Sequence, residues 1–163
     1  MIRRLVYSVT VLGLVVSPAL ADIAVTLEPG GGLTGLIYAD IPIQDAIVAF
    51  GLDAPSQNPA MTLTSFTAGP LFAQPASTPD GDGIAGLVLS GAVYGEHVLL
   101  GTLTYDGDPA GGWVDLGVTP GDLTEGLALP GFGFAAATFS GAYIPEPAAL
   151  ALLAIGAFAL RRR

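Results

Sequence analysis

Between residues 22 and 143, apolar and polar positions change over in short runs, and glycine or proline breaks the pattern about every eight to twelve residues. The runs are rich in Val, Leu, Ile, Thr and Phe, a composition that suits pleated, half-buried strands. Short strands of this kind, separated by frequent turn residues, predict an antiparallel β-sandwich or barrel. The predicted strands are 23–27, 33–39, 46–52, 61–67, 84–90, 98–105, 113–118 and 133–140. In 46–52, Ala46, Val48, Phe50 and Leu52 alternate with Ile47, Ala49 and Gly51, so both faces of that strand are expected to be covered. In 98–105, Leu99, Gly101, Leu103 and Tyr105 alternate with Leu100, Thr102 and Thr104, which predicts one core face and one wetter face. Residues 68–83 hold Pro70, Pro75 and Pro79 and read as an irregular crossover or a loop with one short strand. Nothing between the two ends keeps a helical period for three turns. The expected fold is therefore all-β, an antiparallel sandwich of about eight or nine strands.

The two ends follow a different pattern. Met1-Ile2-Arg3-Arg4 is basic, residues 5–16 are mostly apolar, and Ser17-Pro18 stops a helix. Ala19-Leu20-Ala21 then offers the small-x-small site of signal peptidase, with Ala19 and Ala21 as its small residues, so 1–21 reads as a helical secretory signal peptide. At the other end, Ile144-Pro145-Glu146-Pro147 leads into an uncharged Ala/Leu run over 148–160, closed by Arg161-Arg162-Arg163. A helix apolar all round is expected there, buried in a protein core or in a membrane. Thirteen residues of helix reach about 20 Å, short of a hydrocarbon core of about 30 Å. Snorkelling arginines narrow that gap, and the abrupt basic end favours a short transmembrane helix stopped at an anionic cytoplasmic face.

Pro145-Glu146-Pro147, the short apolar helix and the Arg161–Arg162–Arg163 cluster, in that order, resemble the PEP-CTERM sorting signal of exported bacterial proteins. The resemblance covers 144–163. It implies that exosortase, a membrane protease-transpeptidase, recognises the tail and separates the passenger from it near the Pro-Glu-Pro triplet. The division that follows is 1–21 signal peptide, 22–143 passenger and 144–163 sorting signal. Within the passenger, Asp80-Gly81-Asp82-Gly83-Ile84-Ala85-Gly86-Leu87-Val88-Leu89, followed by Leu99-Leu100-Gly101-Thr102-Leu103-Thr104-Tyr105, resembles cohesin-like modules, which are jelly-roll sandwiches. That likeness implies a fold and brings no catalytic residues.

Charge sharpens the division. All five basic residues, Arg3, Arg4, Arg161, Arg162 and Arg163, lie in the two ends, whereas thirteen of the fourteen acids lie in the passenger. A segment without lysine or arginine is a poor partner for nucleic acid or anionic lipid, because phosphate binding needs cations. It also has no lysine or arginine with which to form a salt bridge, and reads as an acidic, solvated surface. Cysteine is absent, so an exported domain here relies on its apolar core.

Candidate chemistry is sparse. His97 is the only histidine and stands beside Glu96 with no paired Ser or Cys motif, which favours a surface residue over a catalytic base. Asp80 with Asp82, and Asp106 with Asp108, put two acids at a spacing of two in glycine-rich turns. Asp-x-Asp turns can supply calcium ligands, yet Asp-Gly is itself a favoured turn dipeptide, and neither stretch completes an EF-hand loop. Turn chemistry is the reading preferred, so no cofactor is expected, with calcium as the alternative. Trp113 and Tyr105 flank the 106–112 loop and offer a sugar-stacking platform; a core tryptophan and a strand-end tyrosine are the plainer reading. A hydrolase would need two acids facing across a cleft, and nothing along the chain pairs them.

These observations lead to an exported, non-enzymatic protein with a structural or adhesive role at the cell surface or in the extracellular matrix. Its partners are signal peptidase and exosortase during export, the membrane through the C-terminal helix before processing, and a polysaccharide or protein of the matrix. The alternative is a carbohydrate- or protein-binding module, with or without calcium. A hydrolase comes third.

Overall fold

The computed structural model describes residues 22–78, 81–108 and 110–145. The expected signal peptide with Ala19 and Ala21, the expected C-terminal helix, Glu146, Pro147 and Arg161 to Arg163 lie outside the described residues, as does Asp80.

The described chain is all-β. Its strands are β1 (Ile23–Pro29), β2 (Thr34–Ile41), β3 (Ala49–Gly51), β4 (Met61–Ala68), β5 (Phe72–Ala73), β6 (Ala85–Val88), β7 (Gly95–Gly107), β8 (Gly112–Val114), β9 (Gly126–Ala128), β10 (Ala137–Ser140) and β11 (Ala142–Ile144), with one 3-10 turn at Ile43–Asp45. A five-stranded sheet runs β10-β1-β2-β7-β4, a four-stranded sheet runs β5-β6-β3-β9, and β8 with β11 forms a ribbon. Pairing is antiparallel except between β1 and β10, which run parallel. The described residues thus form eleven short strands, where eight or nine were expected. The surplus is β5 inside the proline-rich 68–83 segment, and β9 and β11, each three residues long and too short to show a period of two. Several predicted strands are also trimmed. Residues 46–52 pair as a ladder only over Ala49–Gly51, 113–118 only to Val114, and 133–140 only from Ala137.

The core lies between the sheets. β1 sends Ile23, Val25 and Leu27 inward and β2 sends Ile37, Ala39 and Ile41, every second residue as the pleat requires. From the smaller sheet, Phe50 meets Phe72 edge-on at 5.0 Å between centroids and Phe66 of the larger sheet at 6.2 Å. These edge-to-face distances are those of favourable aromatic pairs. Gly86 and Gly101 supply the room: a Cβ at Gly86 would run into the Phe50 ring, and one at Gly101 into the Phe66 ring.

Two bulges set which residues face that core. On β7, Ile37 pairs with Gly101 but Tyr38 pairs with Leu99, leaving Leu100 unpaired. The extra residue flips the alternation, so Leu100 is buried together with Gly101, Leu103 and Tyr105. The expected wetter face for Leu100 is therefore wrong; a strict period of two cannot carry through an inserted residue. On β4, Thr64 is skipped between Leu63 and Ser65, and its hydroxyl donates to the Thr104 carbonyl at 3.0 Å. The inward set accordingly shifts from Met61 to Phe66.

The last strand closes the core. Ile144 is fully buried, and Gly35 leaves the space it fills: a Cβ there would sit 2.7 Å from Ile144 Cδ1 and 2.8 Å from Leu27 Cδ1. Ile144 was grouped with the tail, yet structurally it is a core residue, and Pro145 directly follows it against Gly111. Deleting a buried branched side chain costs about 2–5 kcal/mol. Ile144→Ala is expected to lower unfolding stability by that amount in urea titrations. A chain ending at Tyr143 is expected to melt below one ending at Pro145; equal melting points would show that β11 does not hold the core.

Candidate functional site

The described members of the acidic turns are used by the fold. Asp82 Oδ1 accepts the Ile84 amide at 2.8 Å, and the Thr78 hydroxyl oxygen accepts the Gly83 amide at 2.8 Å. Asp106 Oδ1 accepts the amide of Gly107. Asp108 accepts the Ala110 amide at 2.9 Å and Asn58 Nδ2 at 3.1 Å, and these bonds, the backbone one foremost, hold its carboxyl below the ordinary range. The Asp82–Ile84 and Asp108–Ala110 bonds, each to the amide two residues on, are Asx-turn contacts. Among the described residues, no group of three or more His, Asp or Glu side chains is placed to hold a metal ion.

His97 sits on the β2–β7 edge in the left-handed region at φ 52°, its amide donating to Asp40 Oδ1 at 2.7 Å and its ring stacked on Tyr38 at 3.8 Å. The backbone there departs from regular pairing, since Ala39 pairs with Val98 and Ile41 with Gly95.

One acid cluster was not legible in the chain. Glu125, only 7% exposed, accepts the Thr119 amide, and Thr119 Oγ1 donates to Asp53 Oδ2 at 2.8 Å. Burial pushes the Glu125 carboxyl above its ordinary value; the Asp53 charge, a carboxyl–carboxyl hydrogen bond with Asp53 and the Asp122 charge add to this, while the Thr119 amide opposes it. Asp82 lines the same cleft as Glu125, together with Leu52, Ile84 and Thr124. Thr119 bridges the two acids, its amide serving Glu125 and its hydroxyl Asp53.

Tyr105 and Trp113 are not brought together as a platform. Tyr105 keeps the alternation of Gly101 and Leu103 and points inward, where its hydroxyl donates to the Ala54 carbonyl at 2.8 Å. Burial, with the Asp82 charge second, raises the phenol well above its usual range. Trp113 instead stands outside on β8, and its neighbour is Tyr143, directly opposite on β11. Val114 and Ile144, the next residues along, are fully buried, so the two aromatic rings occupy the outward row.

Trp113 and Tyr143 are 44% and 49% exposed, and each is pinned by a hydrogen bond. Trp113 Nε1 donates to Asp115 Oδ1 at 3.0 Å, and the Tyr143 hydroxyl donates to the Ala110 carbonyl at 2.6 Å. Gln57 Nε2 donates to both oxygens of Asp115, at 3.2 and 3.0 Å. The backbone of 55–57 joins β8 on its other side, through Gln57 N to Trp113 O and Asp115 N to Pro55 O. Gly141 completes the patch: an ideal Cβ there would lie 3.2 Å from Trp113 Nε1 and collide with the Val114 carbonyl. The result is an open ribbon face bearing Gln57, Trp113, Asp115 and Tyr143. Aromatic residues two apart from an acid, as in Trp113-Val114-Asp115, were the only local signal; Gln57 and Tyr143 arrive through pairings far apart in sequence.

The Glu125 cluster makes a pH prediction. An acid with a raised folded-state pKa binds its proton more tightly folded than unfolded, so its contribution is present below the ordinary value of 4.5 and is lost as pH rises through the folded value. Glu125→Gln, uncharged at every pH, is therefore expected to melt above the parent at pH 7, with the gap closing towards pH 4. A gap independent of pH would contradict the raised carboxyl.

Comparison with protein-family models finds no match along this chain, and comparison with curated proteins finds none either.

Proposed function

We propose that the chain is an exported protein whose passenger is a non-enzymatic, structural or adhesive β-sandwich of jelly-roll, cohesin-like type, displayed at the cell surface or in the extracellular matrix. The observation that carries this reading is the separation of charge along the chain. Every cationic residue lies in two ends built like export signals, and none lies between them. A basic cluster after a short apolar helix acts as a membrane stop at the cytoplasmic face. Signal peptidase cuts after Ala21, the C-terminal helix holds the passenger at the membrane for a time, and exosortase acts at Pro145-Glu146-Pro147. The acidic passenger is kept in solution by its own net charge and is unsuited to nucleic acid or anionic lipid.

The position of Ile144 constrains this processing. Cleavage upstream of Ile144 would remove a fully buried core side chain, so this reading has the mature protein keep β11 entire. Mass spectrometry of the protein recovered from its source cells is expected to find Asp22 at the N-terminus and no C-terminus earlier than Ile144. Replacement of Arg161, Arg162 and Arg163 by neutral residues is expected to leave unprocessed protein in the membrane fraction or misplaced. Normal processing and release of that variant would refute the sorting role of the tail.

A further inference from the structure

We propose that the Trp113–Tyr143 face of the β8–β11 ribbon is a binding platform for a neutral polysaccharide, seated with the C–H faces of its pyranose rings on the two aromatic side chains. This gives the adhesive reading a ligand class and rests on that reading only for where the polysaccharide is met. Binding and export are read by separate measurements, so either can fail alone.

Three features of the ribbon converge. The first is that its rings are fixed before any ligand arrives. The indole is held by Asp115 and the phenol by the Ala110 carbonyl, so docking costs little side-chain entropy. Residues directly opposite on antiparallel strands have Cβ atoms about 5 Å apart. Both side chains leave the same open face, the indole leaning to Asp115 and the phenol to Ala110, a spread that fits an extended, flat ligand.

The second feature is the polar rim. Asp115 and Gln57 sit beside the indole with planar groups that can exchange hydrogen bonds with sugar hydroxyls, and Asp115 is already oriented by Gln57 Nε2 and Trp113 Nε1. A small number of placed polar groups beside aromatic walls is how ligand sites fix orientation.

Charge supplies the third. The passenger has thirteen acids and neither lysine nor arginine, so an anionic polymer is repelled. A cationic ligand would need rings that enclose it and a carboxylate to pair with it. Here the two side chains stand on one open outward row and enclose nothing. A neutral, hydroxyl-rich chain meets neither objection.

Trp113 is the protein's one tryptophan, so its emission reports on this face alone. The test uses the full-length chain, purified in a detergent without sugar headgroups, with hydroxyethyl cellulose, amylose and galactomannan as probes, and with choline and a lysine-rich peptide as cationic controls. At least one polysaccharide is expected to shift or quench Trp113 emission and to retard the protein in affinity electrophoresis. Trp113→Ala and Tyr143→Ala should each weaken retardation about tenfold or more, the scale of losing an aromatic anchor. Trp113→Phe should restore part of the loss, and melting curves should stay close to the parent because both side chains lie outside the core. The proposal is overturned if all three polysaccharides leave emission and mobility unchanged. It is equally overturned if retardation survives in both alanine variants, or if only the cationic probes perturb Trp113.

Discussion

With no lysine, arginine or cysteine between residues 22 and 145, this domain is held by apolar burial and by hydrogen bonds to its own backbone. That constraint shapes the rest of the structure. The sheets are clamped by Phe50, Phe66 and Phe72, which approach closely because Gly86 and Gly101 carry no side chain. Carboxylates that elsewhere would find a guanidinium find main-chain amides instead: Asp82 at Ile84, Asp40 at His97, Asp108 at Ala110, Glu125 at Thr119. Each such bond settles a negative charge in a turn without an ion pair, and the acids are spread around the loops accordingly. Where two are forced together, at Asp53 and Glu125, the buried one holds its proton more tightly.

The bulges translate this packing into a surface. The extra residue Leu100 adds one more side chain to the inward row of β7, which runs on through Gly101 and Leu103 to Tyr105, whose hydroxyl ties β7 to Ala54. Trp113, on the short β8 strand, is left outward with Tyr143 across from it and Val114 and Ile144 beneath. The buried row and the exposed row of the ribbon are two sides of one alternation, so the residues that close the core also set the spacing of the rings above it.

The same strand joins the domain to its tail. Ile144 fills the space over Gly35, and the Pro-Glu-Pro triplet begins at the next residue. The folded body therefore reaches Pro145 with no residue between.

Local chemistry carried much of this protein. Strand-forming runs punctuated by glycine and proline specify an all-β chain, because turn and strand preferences act over a few residues. Charge counts need no fold at all. Other features were decided only by tertiary structure. The burial of Leu100 beside the expected inward row of Gly101, Leu103 and Tyr105 depends on an inserted residue that shows only against its partner strand. The Glu125–Asp53 contact and the meeting of Trp113 with Tyr143 join positions 72 and 30 residues apart. Ile144 read as part of an apolar tail because a buried β-strand residue and the start of a membrane segment are equally hydrophobic. What separates them is the cavity at Gly35, and that exists only once β1, β2 and β11 have come together.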